Sequence, residues 1–268
     1  MFECVINVSE GTDLDLLDVL RRSCATSCRD LHHDSFHNRS VFTLINSEAE
    51  LVSDVRQLLT TAFSLLDLST HHGVHPRLGV VDVVPFVALH EEDQPKAVAL
   101  RDEMAAWISE TFEVPTFLYG TAAPTLPALR KGAFATIAPS FGPPVAHPKW
   151  GAVCVGDRPV LLAWNIWLEG VSLSEAKSIA ADIRQPGVRA LGLPTGDFVQ
   201  VSCNLTDPRH VGPGRVFDQV AGLLPATGRI HHCELVGLAP AEVLSNEDPQ
   251  RWSLLGLDRA HTIEGRTA

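Results

Sequence analysis

The spacing of apolar positions divides the chain into short segments of alternating type. Residues 2–8, FECVINV, form an apolar run of strand length. From about Thr12, "TDLDLLDVL" places acids in the first turn of a capped helix. A short strand near Asp30 and a clear one at 40–46 follow. Next comes an amphipathic helix over 48–66 whose leucines repeat at helical spacing. A strand over 78–84 completes the set, with Pro85 predicting an edge or bend there. The order is β-α-β-β-α-β.

A third helix, "PKAVALRDEMAAWISETF", and a strand, "PTFLYG", extend this half, and "APSFGPPVAHPKWG" is too rich in proline and glycine for regular structure. Beyond that connector the same order returns. A strand is expected at 160–168, a helix at 172–184, strands at 188–193 and 198–204, a helix at 212–224 and a strand at 230–236. The chain therefore reads as α+β, with two ferredoxin-like β-α-β-β-α-β subdomains, 1–157 and 158–268, and a cleft between them. "NVSEG" after the first strand of one half is echoed by "NIWLEG" in the other, which points to a duplication.

A chain of 268 residues that is 45% hydrophobic can bury a full core. It has no uncharged apolar stretch of about eighteen residues, and "MFECVINVSEG" lacks the basic flank of a signal peptide, so the expectation is a soluble, cytoplasmic protein. A formal charge of −11 argues against nucleic acid as the main partner, and one tyrosine offers little stacking surface for single strands. An anionic ligand would need a local cationic pocket. Six cysteines without metal-finger spacing read as reduced core thiols.

The chemistry concentrates in two segments. "HHGVHPR" sets His71, His75 and Arg77 beside a strand entry, with Gly73 interrupting any helix and Pro76 pushing His75 toward extended backbone. His71 and His75 have the i, i+4 spacing of helical zinc ligands, but without a helix that spacing loses its meaning. A histidine near its working pKa serves instead as a proton shuttle, with Arg77 close by to hold an anion. "DLHHDSFHNRSVFT" places His32, His33, Asp34, His37, Asn38 and Arg39 before a strand, and Arg39 presents a planar fork to a carboxylate. "NVSEG" has a plainer reading as a cap, with Ser9 or Thr12 satisfying backbone donors of the first helix. The two histidines of "IHHCEL" are expected on opposite strand faces, which disfavours a shared metal.

These segments, together with "LRKGAF", "PSFGP", "WGAVCVGDR", "LLAWNIWL", "QVSCNLTD" and "ELVGLAP" in the same order, resemble the formiminotransferase family. "HHGVHPRLGVVDVVPF" follows that family's H-x-G-x-H-P-R-M-G-x-x-D-x-x-P-F pattern closely. The resemblance implies a homodimer of one-carbon metabolism and histidine degradation, moving a formimino group from N-formimino-L-glutamate to N5 of tetrahydrofolate. Tetrahydrofolate would be a co-substrate, and no metal is expected. It implies His75 as general base and then acid. Asn7, Ser9, Glu10, His37, Asn38, Arg39, His71, Arg77, Gly79, Asp82, Gly142 and Trp150 would bind substrate or folate.

Asn7 and Asp82 are further expected to accept hydrogen bonds from the reacting amidine, and Arg39 and Arg77 to hold carboxylates. Departures from the pattern, Ile6, Val8, His32, Ser140 and Trp167, predict an altered pocket. The second half also reads as shortened, with no cyclodeaminase part following. Two other readings stand beside the first: a folate-binding, non-catalytic or regulatory homologue, and a histidine-ligated metalloenzyme.

Overall fold

The computed structural model describes residues 1–74 and 76–267. The chain divides into two compact units, Met1–Pro159 and Val160–Ala268.

In the first unit, strands β1 (Phe2–Val8), β2 (Cys28–Asp34), β3 (Arg39–Asn46) and β4 (Val81–Ala88) are interleaved with helices α1 (Leu14–Ser23) and α2 (Glu48–Leu65). They lie side by side in the order β2-β3-β1-β4, with every neighbouring pair antiparallel. Strand alternation sends Cys4, Ile6 and Val8 into a core shared with Leu51, Val55, Leu58 and Leu59 of α2. Asn7 therefore faces the other side of the sheet, opposite Val41 on β3 and Val83 on β4. Helix α1 begins two residues later than expected. The Glu10 carboxylate takes the backbone N–H groups of Thr12 and Asp13, and Asp13 caps the helix through Leu16 N at 3.0 Å.

Strand β4 does not stop at Pro85. It runs on to Ala88 between β1 and β6 (Val153–Asp157), so it is an interior strand. The proline is tolerated because the β1 ladder passes from Asn7↔Val83 to Cys4↔Phe86 around it, while Gly156 of β6 pairs its other side. Residues 78–80, expected within the strand, are pinned singly: Ala152 N donates to Leu78 O and Val80 N to Trp150 O.

Helix α3 (Gln94–Phe112) and strand β5 (Thr116–Tyr119) match the sequence reading, and β6 and β5 extend the sheet in parallel pairing. Helix α4 (Leu126–Gly132) and β6 are additional to it. The connector over 138–151 contains isolated bridges and no helix or strand.

The second unit repeats the arrangement. Strands β7 (Leu162–Glu169), β8 (Val188–Thr195), β9 (Phe198–Leu205) and β10 (Arg229–Val236) order as β10-β7-β9-β8, all antiparallel. Helices α5 (Leu173–Asp182) and α6 (Pro213–Leu223) supply Ala176, Ile179, Val216 and Val220 to its core. Ser172 and Glu175 cap α5 reciprocally. Fully buried Trp164 satisfies its indole N–H on Leu255 O at 2.8 Å. Short helices α7 (Ala241–Ser245) and α8 (Ile263–Thr267) follow. The protein is thus α+β, with mixed helices and two sheets. No helix among the described residues is long and apolar enough to cross a membrane.

Candidate functional site

One end of the first sheet gathers a buried carboxylate and several arginines. Asp82 on β4 is 1% exposed, and its Oδ2 accepts from Arg39 Nη1 at 3.0 Å and from Arg130 Nη2. Its Oδ1 accepts from Leu78 N at 2.8 Å. Arg39, at the start of β3, also donates from Nε to Asn7 Oδ1 on β1 at 3.1 Å. Burial by itself would raise the Asp82 pKa, but the charges of Arg39 and Arg130 hold it below the ordinary carboxylate value. Burial lowers the Arg39 pKa to about 10 against the opposing pull of Asp82, leaving Arg39 charged at neutral pH. One carboxylate shared by two guanidinium groups leaves a net positive field at this sheet end.

The loop before β4 is tied to the same place. Asn38 sits in the left-handed region at φ 45°, which asparagine tolerates better than most residues. Its side chain accepts from Gly11 N at 2.9 Å and donates to His72 O at 2.8 Å, and its carbonyl faces His71 Nε2 at 2.9 Å. Arg77 donates to His37 O at 3.0 Å and lies against the His71 ring. With Nε2 donating to Asn38, Nδ1 is the acceptor turned toward Arg77. Burial first, then the Arg77 charge, lower the His71 pKa and favour the neutral ring, with Glu10 pulling the other way. Gly73 is required by close approach: an added Cβ would lie 2.4 Å from His37 O and 2.6 Å from Arg77 Nη2.

Most of the expected site residues therefore converge here: Asn7, Asn38, Arg39, His71, Arg77 and Asp82 through contacts, and Glu10 through its field on His71. His75 lies outside the described residues. Its neighbours on both sides are tethered, Val74 N to Phe36 O and Pro76 O to Arg130 Nη1 at 3.0 Å.

Several expected residues also make structural contacts. Ser9 donates to Gly79 O at 2.9 Å, so it braces the loop and does not cap α1. Gly79 has no room for a side chain, since a Cβ would lie 2.3 Å from Ala152 O. His37 closes a turn with its backbone N–H on Asp34 Oδ1 at 2.8 Å. Gly142 packs on Ser109 and Val114 at positive φ. The Trp150 ring stacks on His147 with centroids 4.3 Å apart and joins Phe63 and Phe112, and only its backbone reaches Val80.

Two of the residues expected to bind ligand are also engaged within the protein. Asp82 accepts from three donors, two of them guanidinium groups, and so positions arginines. The Arg39 fork is engaged by Asn7 and Asp82. Arg130 was not singled out as a site residue. Its signal was the "LRKGAF" segment, but α4 is short and its arginine meets Asp82 only in three dimensions.

In the second unit Trp167 on β7 stacks against His232 with ring centroids 5.0 Å apart and donates to Glu234 Oε2 at 3.2 Å, as does Asn165. His231 and His232 were expected on opposite faces, yet their Nδ1 atoms are 2.7 Å apart. A register shift between Ile230 and His232 inserts a bulge that breaks the alternation and turns both rings to one side. No group of three or more metal-ligating side chains occurs among the described residues. Residues 71–73 are not helical.

Comparison with known proteins adds a sequence-wide finding. The profile described as "Formiminotransferase domain, N-terminal subdomain" matches residues 1–158. The chain is 35% identical to the formimidoyltransferase-cyclodeaminase of Sus scrofa, an alignment covering 91% of this chain and 51% of that protein. It is 31% identical to the glutamate formimidoyltransferase of Streptococcus pyogenes serotype M1 over 90% of each chain. Identity to the glutamate formimidoyltransferase of Thermoplasma acidophilum is 30%, covering 98% of this chain and 96% of that one. The chain spans about half the length of the cyclodeaminase-bearing relative and most of the length of the other two.

Proposed function

From the premise that this chain belongs to the formiminotransferase family, we propose that it transfers a formimino group from N-formimino-L-glutamate, or a related amidine donor, to N5 of tetrahydrofolate. The observation that carries this reading is the cationic end of the first sheet, where Arg39 and Arg130 share the buried Asp82 and Arg77 stands beside His71. Both substrates are carboxylates. A net positive, partly desolvated patch on an otherwise acidic protein suits them, and the names of the relatives specify glutamate and a formimidoyl group.

In this reading the reaction is group exchange between two nitrogens. N5 attacks the amidine carbon and loses its proton to His75, and a tetrahedral carbon forms. The bond from that carbon to the glutamate nitrogen then breaks, and the imidazolium of His75 returns the proton to the leaving amine. Arg77 orients a substrate carboxylate, and His71, neutral at physiological pH, limits the positive charge beside it. Arg39, Arg130 and Asp82 fix the platform on which Arg77 and the 71–77 loop rest. Assembly as a homodimer in the cytoplasm belongs to the same reading.

The experiment is a product assay. Purified protein is incubated with formiminoglutamate in the presence or absence of tetrahydrofolate, and glutamate release is followed. Release that depends on tetrahydrofolate is expected. Folate binding by calorimetry with no release from any amidine or formyl donor would favour the non-catalytic homologue.

A further inference from the structure

Away from the arginine cluster, the turn "SCATSC" between α1 and β2 places two free cysteines one backbone turn apart. Cys24 is the C-cap of α1 and is fully buried, whereas Cys28 opens β2 and is partly exposed. The backbone between them makes one helix-like turn, with Cys28 N donating to Cys24 O at 2.9 Å and Ser27 N to the same oxygen at 3.2 Å. A turn of that geometry separates the first and fifth Cα atoms by about 6 Å, inside the roughly 4.4–6.8 Å that a disulfide spans. Cys24 Sγ donates to Leu20 O at 3.6 Å and to Arg21 O at 3.5 Å, and Cys28 Sγ to Asp30 O at 3.6 Å.

The surroundings divide the labour between the two. The neighbouring Cys24 thiol lowers the Cys28 pKa, burial opposes it, and the nearby Arg21 charge lowers it further. The neighbouring Cys28 and burial raise the Cys24 pKa. Cys28 is thus the partly exposed sulfur with the lowered pKa and Cys24 the buried one. Ser27 anchors the turn, donating from N to Asp54 Oδ2 at 2.7 Å and accepting Ile45 N at 2.8 Å and Asn46 Nδ2 at 3.2 Å. These bonds hold the backbone between the sulfurs, so closure requires side-chain rotation and little loop movement.

We propose that Cys24 and Cys28 are a site of reversible oxidation, a dithiol that a peroxide converts to an intramolecular disulfide. The Cys28 thiolate attacks one peroxide oxygen, the O–O bond breaks, and water leaves with a proton from solvent, giving a sulfenic acid on Cys28. The Cys24 sulfur then attacks the Cys28 sulfur, the S–O bond breaks, and a second water carries off the Cys24 proton. Two thiols are oxidised and one peroxide is reduced to two waters. The other four cysteines, Cys4, Cys154, Cys203 and Cys233, are buried with pKa values raised by that burial, and they serve as internal references.

The test uses the reduced full chain, one equivalent of hydrogen peroxide, quenching with iodoacetamide, and tryptic mass mapping. Cleavage after Arg22 and Arg29 releases both cysteines in the peptide 23–29. That peptide is expected two hydrogens lighter than its reduced form and unalkylated, with dithiothreitol restoring both alkylation sites. In Cys24→Ala, Cys28 is expected to stop at a dimedone-reactive sulfenic acid and to alkylate several-fold more slowly in the reduced protein. A wild-type peptide alkylated on both cysteines, one carrying a sulfinic acid at Cys28, or faster oxidation of any of the four reference cysteines would overturn the proposal.

Discussion

The Arg130 guanidinium reaches from α4 to the carboxylate of Asp82 on β4, joining a short helix to an interior strand across 48 positions of sequence. Truncating it leaves Asp82 buried with Arg39 as the other guanidinium described as bonded to it. Arg130→Met should therefore lower unfolding stability by about 2–4 kcal/mol, and Asp82→Asn, which strands two arginines, by about 3–5 kcal/mol. Urea melts monitored by tryptophan fluorescence check both. A loss under about 0.5 kcal/mol in each would mean that the shared carboxylate is not structural.

The same carboxylate gives a pH signature. The folded pKa of Asp82 is held below its unfolded value, so its contribution is fully present above the ordinary carboxylate range and is lost as pH falls through the folded pKa. The stability gap between wild type and Asp82→Asn should be widest near neutrality and narrow in acid. Urea midpoints taken from neutral pH downward give the comparison, and a gap that widens in acid would contradict the assigned sign.

His71 predicts a separate step at higher pH. Its pKa is lowered on folding, so the neutral ring stabilises the fold above the unfolded value of 6.5, and that stability is lost as pH falls through the folded pKa. In His71→Gln, which keeps a neutral side chain, the wild-type loss of stability below about pH 6.5 should be reduced. Imidazole titration by NMR provides the direct reading.

Two glycines should respond in opposite directions to the same substitution. Gly73→Ala forces a methyl group against His37 O and Arg77, and a loss of about 1–3 kcal/mol with a raised KM is expected as Arg77 shifts. An added Cβ at Gly222 in α6 meets nothing within 4 Å, so Gly222→Ala should stabilise by about 0.5–1 kcal/mol with unchanged kinetics. Differential scanning calorimetry and steady-state assays of the pair separate packing at the loop from general helix propensity.

Local periodicity carried the element order well. Strand β1, helix α2 and the β-α-β-β-α-β order of each half were legible because each buries one regularly spaced face. Asn7, Arg39 and Asp82 stood out as polar residues at strand ends, but their mutual bonding depends on register that no single segment encodes. Arg130 was hidden because α4 is seven residues long and flanked by loops. Strand β6 was hidden because five buried residues, VCVGD, follow a proline-rich connector. The shared face of His231 and His232 was misread because alternation assumes an unbroken ladder, and a bulge intervenes.

The most direct test of the proposed chemistry is single-turnover transfer by His75→Asn set beside folate binding by the same protein. If His75 relays the proton, folinate affinity should stay within a few-fold of wild type while formimino transfer to tetrahydrofolate falls by about 10²–10⁴-fold. Transfer at the wild-type rate in a variant that binds folinate normally would contradict it.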